Sequence, residues 1–82
     1  MDVLHKKYKL SPSVKIRRES FGGILYDHKS GRVLFIYQEL FFDLLTKKDE
    51  ITFAAYLQQD DSQRAKISKL IKQLEAGGII IA

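Results

Sequence analysis

The chain has 82 residues, 45% of them hydrophobic, with 14 Lys and Arg against 10 Asp and Glu and no cysteine. That length suits one domain spanning residues 1–82, the composition is too apolar for a disordered tail, and a disulfide framework or thiolate ligand set is excluded. No apolar run approaches the roughly 20 residues of a membrane span, and Met1 to Lys7 lacks the apolar core of a signal peptide, so a soluble, cytoplasmic protein is expected.

Met1 to Leu10 is polar and reads as loose, so residues 1–11 are expected to be flexible, and Ser11-Pro12-Ser13 marks the entry to the fold. Val14, Ile16 and Arg18 alternate with Lys15, Arg17 and Glu19, the period of a half-buried strand. Phe21-Gly22-Gly23 allows a bend, and Ile24-Leu25-Tyr26 continues as a second strand. Asp27 to Gly31 is a hairpin loop with glycine suited to a left-handed position, and Arg32 to Ile36 returns as the third strand.

From Tyr37 the period changes. Tyr37, Leu40, Phe41, Leu44 and Leu45 recur at helical spacing opposite Glu39 and Asp43, and Thr46-Lys47-Lys48 ends that helix. Ile51 to Leu57 is apolar nearly all round. It fits a short buried helix or a strand; Asp49 as a cap and Ala54-Ala55 favour helix. Asp60 with Gln63 three residues on forms a capping-box pattern that opens a third helix through Ala76, with an apolar stripe of Ile67, Leu70, Ile71 and Leu74. Gly77-Gly78 stops it, and Ile79 to Ile81 is expected to fold back onto the core. The expectation is an α+β domain: an N-terminal three-stranded antiparallel sheet followed by three helices, winged-helix-like.

Charge divides the chain into three. Residues 1–36 carry eight Lys/Arg against three Asp/Glu, residues 37–63 two against six, and residues 64–82 four against one. A basic sheet and a basic last helix therefore flank an acidic middle, which suits an acidic peptide or a polyanion.

The third strand, Arg32 to Tyr37, has no evident partner for its second edge, so it is either a plain core strand or an open edge that receives a peptide. Strand pairing alone would not hold a peptide. Ordering each residue costs ~1–2 kcal/mol and each backbone hydrogen bond returns only ~0.5–1.5. Micromolar affinity, about −8 kcal/mol, needs apolar anchors worth ~1.5–3 kcal/mol each. Val33, Leu34, Phe35 and Ile36 beside Leu70 could line a pocket for them.

On the last helix Lys69 and Lys72 lie opposite the apolar stripe, with Lys66 and Gln73 flanking Leu70. That row reads as a solvated face, as cations for peptide carboxylates, or as a DNA-recognition helix. Asp60 and Asp61 at the helix start oppose phosphate, which ranks peptide above nucleic acid. Phe42 fits either the edge of the core or a contact patch. His5 and His28 lack neighbours at metal-ligand spacing, and no catalytic, metal or cofactor site is expected.

Glu19-Ser20-Phe21-Gly22-Gly23-Ile24-Leu25-Tyr26, followed after a polar loop by Arg32-Val33-Leu34-Phe35-Ile36, resembles the mycofactocin-system peptide chaperones. These belong with the precursor-peptide recognition elements, which include the small binding protein of pyrroloquinoline quinone biosynthesis. The likeness covers roughly residues 12–76, and Ser20 stands where that family usually has proline. It implies a non-catalytic protein that binds the leader of a ribosomally made precursor peptide as an added strand and hands it to a radical S-adenosylmethionine maturase. By position, Arg32, Val33, Leu34, Phe35, Ile36 and Tyr37 would pair the leader backbone, Leu70 would line the pocket, and Lys66, Lys69 and Gln73 would orient polar or acidic leader side chains. Phe21 would be core and Gly22 a bend. The competing expectations are a winged-helix nucleic-acid binder and a homodimer joined through the open strand edge.

Overall fold

The computed structural model describes residues 3–82. After a 3-10 turn at Val3–His5 come β1 (Lys7–Leu10), β2 (Val14–Glu19), β3 (Gly22–Asp27), β4 (Val33–Ile36), α1 (Glu39–Leu45), β5 (Ile51–Thr52), a 3-10 segment at Ala54–Gln58, α2 (Asp61–Ala76) and β6 (Ile80–Ile81). These strands form two three-stranded sheets, ordered β2-β3-β4 and β5-β1-β6, with antiparallel pairing throughout.

The fold is α+β, but it is not an N-terminal sheet followed by three helices, and the winged-helix-like reading is corrected with it. Two α-helices and a second sheet take the place of the expected helical half. The middle helix does not form. Ile51 and Thr52 pair with Tyr8 and Lys7, and Ala54–Gln58 is a 3-10 turn. Asp49, expected as that helix's cap, sits in a turn, its amide donating to the Lys47 carbonyl at 2.6 Å. A β-branched pair with a partner strand available overrides weak helical propensity, and here the partner was the segment read as loose. From Val3 that segment is structured, with Val3, Leu4 and Tyr8 in the core. Met1 and Asp2 lie outside the described residues. On the other flank of β1, Lys9 and Leu10 pair with Ile81 and Ile80, so the apolar end of the chain closes the sheet.

The core is built from Phe41, Phe42 and Leu45 of α1, Tyr8 of β1, Phe53, and Ile67, Ile71 and Leu74 of α2. Phe41 and Phe53 stack with centroids 4.9 Å apart. Burial holds the phenol of Tyr56 above its ordinary pKa, and that of Tyr8 likewise, with the charge of Glu75 adding to the effect. Helix α1 is turned relative to its expected stripe: Leu40 and Tyr37 are exposed, whereas Phe42, read as marginal, is buried. Gly23 explains the turn. A Cβ there would fall inside the Phe42 ring, so the bare Cα of β3 makes the seat for that side chain. Gly22 solves a second problem. Its φ of 141° is closed to other residues, and a Cβ would strike the Ile36 carbonyl. Arg18 lies over the Phe42 ring at 5.2 Å and pairs with Asp43 at 2.6 Å, though an exposed pair adds only ~0–1 kcal/mol.

The β3–β4 hairpin is closed by Asp27. Its buried carboxylate accepts hydrogen bonds from Ser13 Oγ at 2.7 Å, Ser30 Oγ at 2.8 Å and the Lys29 amide at 3.2 Å. Gly31, at φ 73°, turns the chain so that its amide reaches the Asp27 carbonyl. The two serine hydroxyls, and then the loop amides, hold the Asp27 pKa below its ordinary value.

Gly23→Ala should destabilise the protein by about 1–3 kcal/mol in urea unfolding, because Phe42 must leave its seat. The Asp27 contribution has a defined pH window. With the folded pKa below the unfolded value of about 3.9, it is fully present above that pH and lost as pH falls through the folded value. Asp27→Asn should therefore lower the melting temperature at pH 7, and the gap to the wild type should close in melts below about pH 4.

Candidate functional site

Strand β4 is paired along one edge only. Gly23, Ile24, Leu25 and Tyr26 face Ile36, Phe35, Leu34 and Val33 across the β3 ladder, and no described strand occupies the other edge. Alternation then sorts the side chains of β4. Leu34 and Ile36 turn inward beside buried Leu25, and Val33 and Phe35 turn outward.

Helix α2 rises beyond the open edge without closing on it. Asp60 caps it, accepting from the Gln63 amide at 2.8 Å, as the sequence spacing predicts. Its buried stripe packs on the two 3-10 segments and on β6, which leaves a groove between β4 and the C-terminal half of the helix. That groove encloses about 500 Å³ and is lined by Arg32, Leu34, Phe35 and Ile36 on one side and Leu70, Gln73, Leu74, Ala76 and Gly77 on the other.

Leu34 and Leu70 are half-buried walls; Ile36 and Leu74 are buried and form the floor. At one end the Arg32 guanidinium lies across the helix terminus. A Cβ on Gly77 would stand 2.7 Å from Arg32 Nη1, so the glycine makes room for the cation. The result is an apolar trough with a charged end.

Of the residues singled out from the sequence, the structure brings six to this groove: Arg32, Leu34, Phe35, Ile36, Leu70 and Gln73. Val33 and Tyr37 belong to the outer sheet surface instead, with Val33 bordering a separate depression and Tyr37 ringed by Phe21 and Phe35. Lys69 borders a second shallow depression on α2, shared with Ala65, Ser68, Lys72, Gln73 and Ala76, and Lys66 lines neither. Leu74, Ala76 and Gly77 were not anticipated as lining residues. Leu74 carried a signal, since it follows Leu70 by one helical turn; Ala76 and Gly77 carried none.

Phe21, expected in the core, is half-buried and packs on Phe35 and Tyr37. Among the described residues no three His, Cys, Asp or Glu side chains converge as metal ligands would. No helix of the described chain is long and apolar enough to cross a membrane.

The sequence model of the peptide chaperone MftB family matches residues 7–81, nearly the whole chain. No curated protein and no solved structure matches it.

Wall and floor can be told apart by stability. Leu74→Ala should cost ~2–5 kcal/mol as a core truncation, and Leu70→Ala less than about 2 kcal/mol because that side chain is already partly in water. Guanidinium unfolding of the two variants measures the difference.

Proposed function

The chain belongs to the peptide chaperone MftB family, and on that premise we propose that it binds the leader of a ribosomally made precursor peptide by strand addition and presents it to a radical S-adenosylmethionine maturase. The observation that carries this reading is the open edge of β4 facing an apolar trough. A peptide laid along β4 completes the backbone pairs that the edge leaves unmade, and its alternate side chains drop toward Leu34, Ile36, Leu70 and Leu74. Pairing sets the register. Two or three aliphatic anchors at ~1.5–3 kcal/mol each then carry the affinity toward the micromolar range.

Arg32 and Gln73 within the groove, with Lys69 on its flank, orient acidic or polar leader side chains. The protein contributes no bond-making step. It works in the cytoplasm and raises the local concentration of precursor at the enzyme, a tethering effect. A nucleic-acid reading is opposed at the start of α2, where Asp60 and Asp61 stand in place of phosphate-binding groups.

Amide-resolved NMR titration with the leader of a short peptide encoded beside this chain tests the proposal. Saturable shifts should concentrate at Arg32–Tyr37 and Leu70–Gly77 with leader, and be absent with a DNA duplex. Leu34→Lys should abolish binding while the variant stays folded; unchanged affinity would remove the groove from the account. Lys69→Glu should weaken an acidic leader more in low salt than in high, because an exposed charge is screened over about 10 Å at 0.1 M. A dimer in sedimentation that dissociates on leader addition would show the same edge paired with a second copy in the free protein.

A further inference from the structure

The outer face of the β2-β3-β4 sheet carries apolar side chains outside the core, and of these Phe35 also borders the groove. Pairing register arranges them in rows, Lys15 beside Tyr26 beside Val33, and Arg17 beside Ile24 beside Phe35. Phe21 and Tyr37 extend the second row into an aromatic cluster. Their centroids are 5.1 Å apart and lie 6.3 and 6.4 Å from that of Phe35. Phe35 is 53% exposed and Tyr37 71%. A contiguous patch of this kind marks an interaction surface more often than isolated exposed side chains do.

The face also has a shape and a sign. A depression of about 270 Å³ is lined by Lys15, Ile16 and Arg17 of β2 and by Ile24, Tyr26 and Val33 of the adjoining strands. Lys15 has no ion-pair partner among the described residues, and Arg17 meets only Glu19, at 3.5 Å, with its side chain 71% exposed. An aromatic centre bordered by Lys15, without an ion pair among the described residues, and by Arg17, held only in a long exposed pair, calls for apolar side chains framed by carboxylates.

We infer that this face docks a protein partner of that chemistry, an apolar patch rimmed by Asp or Glu. In the adaptor reading, on which this inference rests, the partner is the maturase. A second copy fits less well, because face-to-face pairing sets Lys15 and Arg17 on both sides of one seam. Single-stranded nucleic acid needs open rings to stack on, whereas Phe21, Phe35 and Tyr37 pack on one another and Tyr26 holds His28 edge-on at 4.8 Å. The placement couples the two sites. A peptide added to β4 turns every second side chain toward this same face, beside Val33 and Phe35, so the docked enzyme meets peptide and carrier as one surface.

The test uses the full chain and the radical S-adenosylmethionine enzyme encoded with it, with leader binding measured in parallel by interferometry. The substitutions sit on β2 and β3, outside the groove: a Lys15→Glu, Arg17→Glu double variant and Tyr26→Ser. The double variant should lose about tenfold or more in enzyme affinity and much of its salt dependence. Tyr26→Ser should lose about fivefold. Both should bind leader within about twofold of the wild type, since Lys15, Arg17 and Tyr26 stand on β2 and β3, with β4 between them and the open edge.

Enzyme affinity unchanged in both variants overturns the inference. So does a wild type that binds leader and not enzyme, which leaves the peptide reading standing, and so does a Tyr26-dependent dimer or oligonucleotide complex without enzyme binding. Enzyme binding that needs these residues, in a protein with no affinity for leader, keeps the docking face and sinks the adaptor reading instead.

Discussion

The aromatic ring of Phe42 rests on the bare Cα of Gly23, and the placement of β4 depends on that contact. It locks α1 beneath the centre strand of the β2-β3-β4 sheet. One residue earlier, Gly22 lets the backbone pass within reach of the Ile36 carbonyl. Together the two glycines hold β4 from one side, through β3, and Asp27 closes the hairpin at the far end. A four-residue strand fixed this way needs no support on its second edge, and no described strand pairs with that edge.

Helix α2 completes the arrangement by standing off. Its apolar stripe is spent on the 3-10 segments and β6, so only half-buried Leu70 and the margin of Leu74 face β4. Had the helix packed directly on β4, the same residues would have made a tighter core and no groove. The Arg32 guanidinium, lying against Gly77, marks one end of the trough and gives it polarity.

Strand alternation then gives β4 two audiences. Leu34 and Ile36 line the groove, Val33 turns to the outer face with Phe21 and Tyr37, and Phe35 stands on that face while also bordering the groove. For a peptide chaperone this economy has a physical logic. In the proposed strand addition, an extended guest on the edge would lengthen both faces at once, and its register against the carrier would also set which of its side chains stand beside the aromatic cluster.

Local chemistry was enough to read the β2-β3-β4 meander, the Asp60-capped α2 and much of the groove from the sequence. Alternation over Val14–Glu19, glycine in the Asp27–Gly31 loop and the Asp60–Gln63 spacing are short-range signals that tertiary packing did not override. The second sheet was illegible for the opposite reason. Strands β5 and β6 have two residues each and exist only because β1 lies between them, so neither has a period of its own. Phe42 shows the same limit within α1: helical spacing offered several faces, and the seat at Gly23 chose among them. The sequence by itself determined which segments could be strand or helix and where the apolar and basic groups fall along them. Only the tertiary structure decided which side chains of β4 line a groove and which face outward, because that choice is made by pairing register and by how far α2 stands from the open edge.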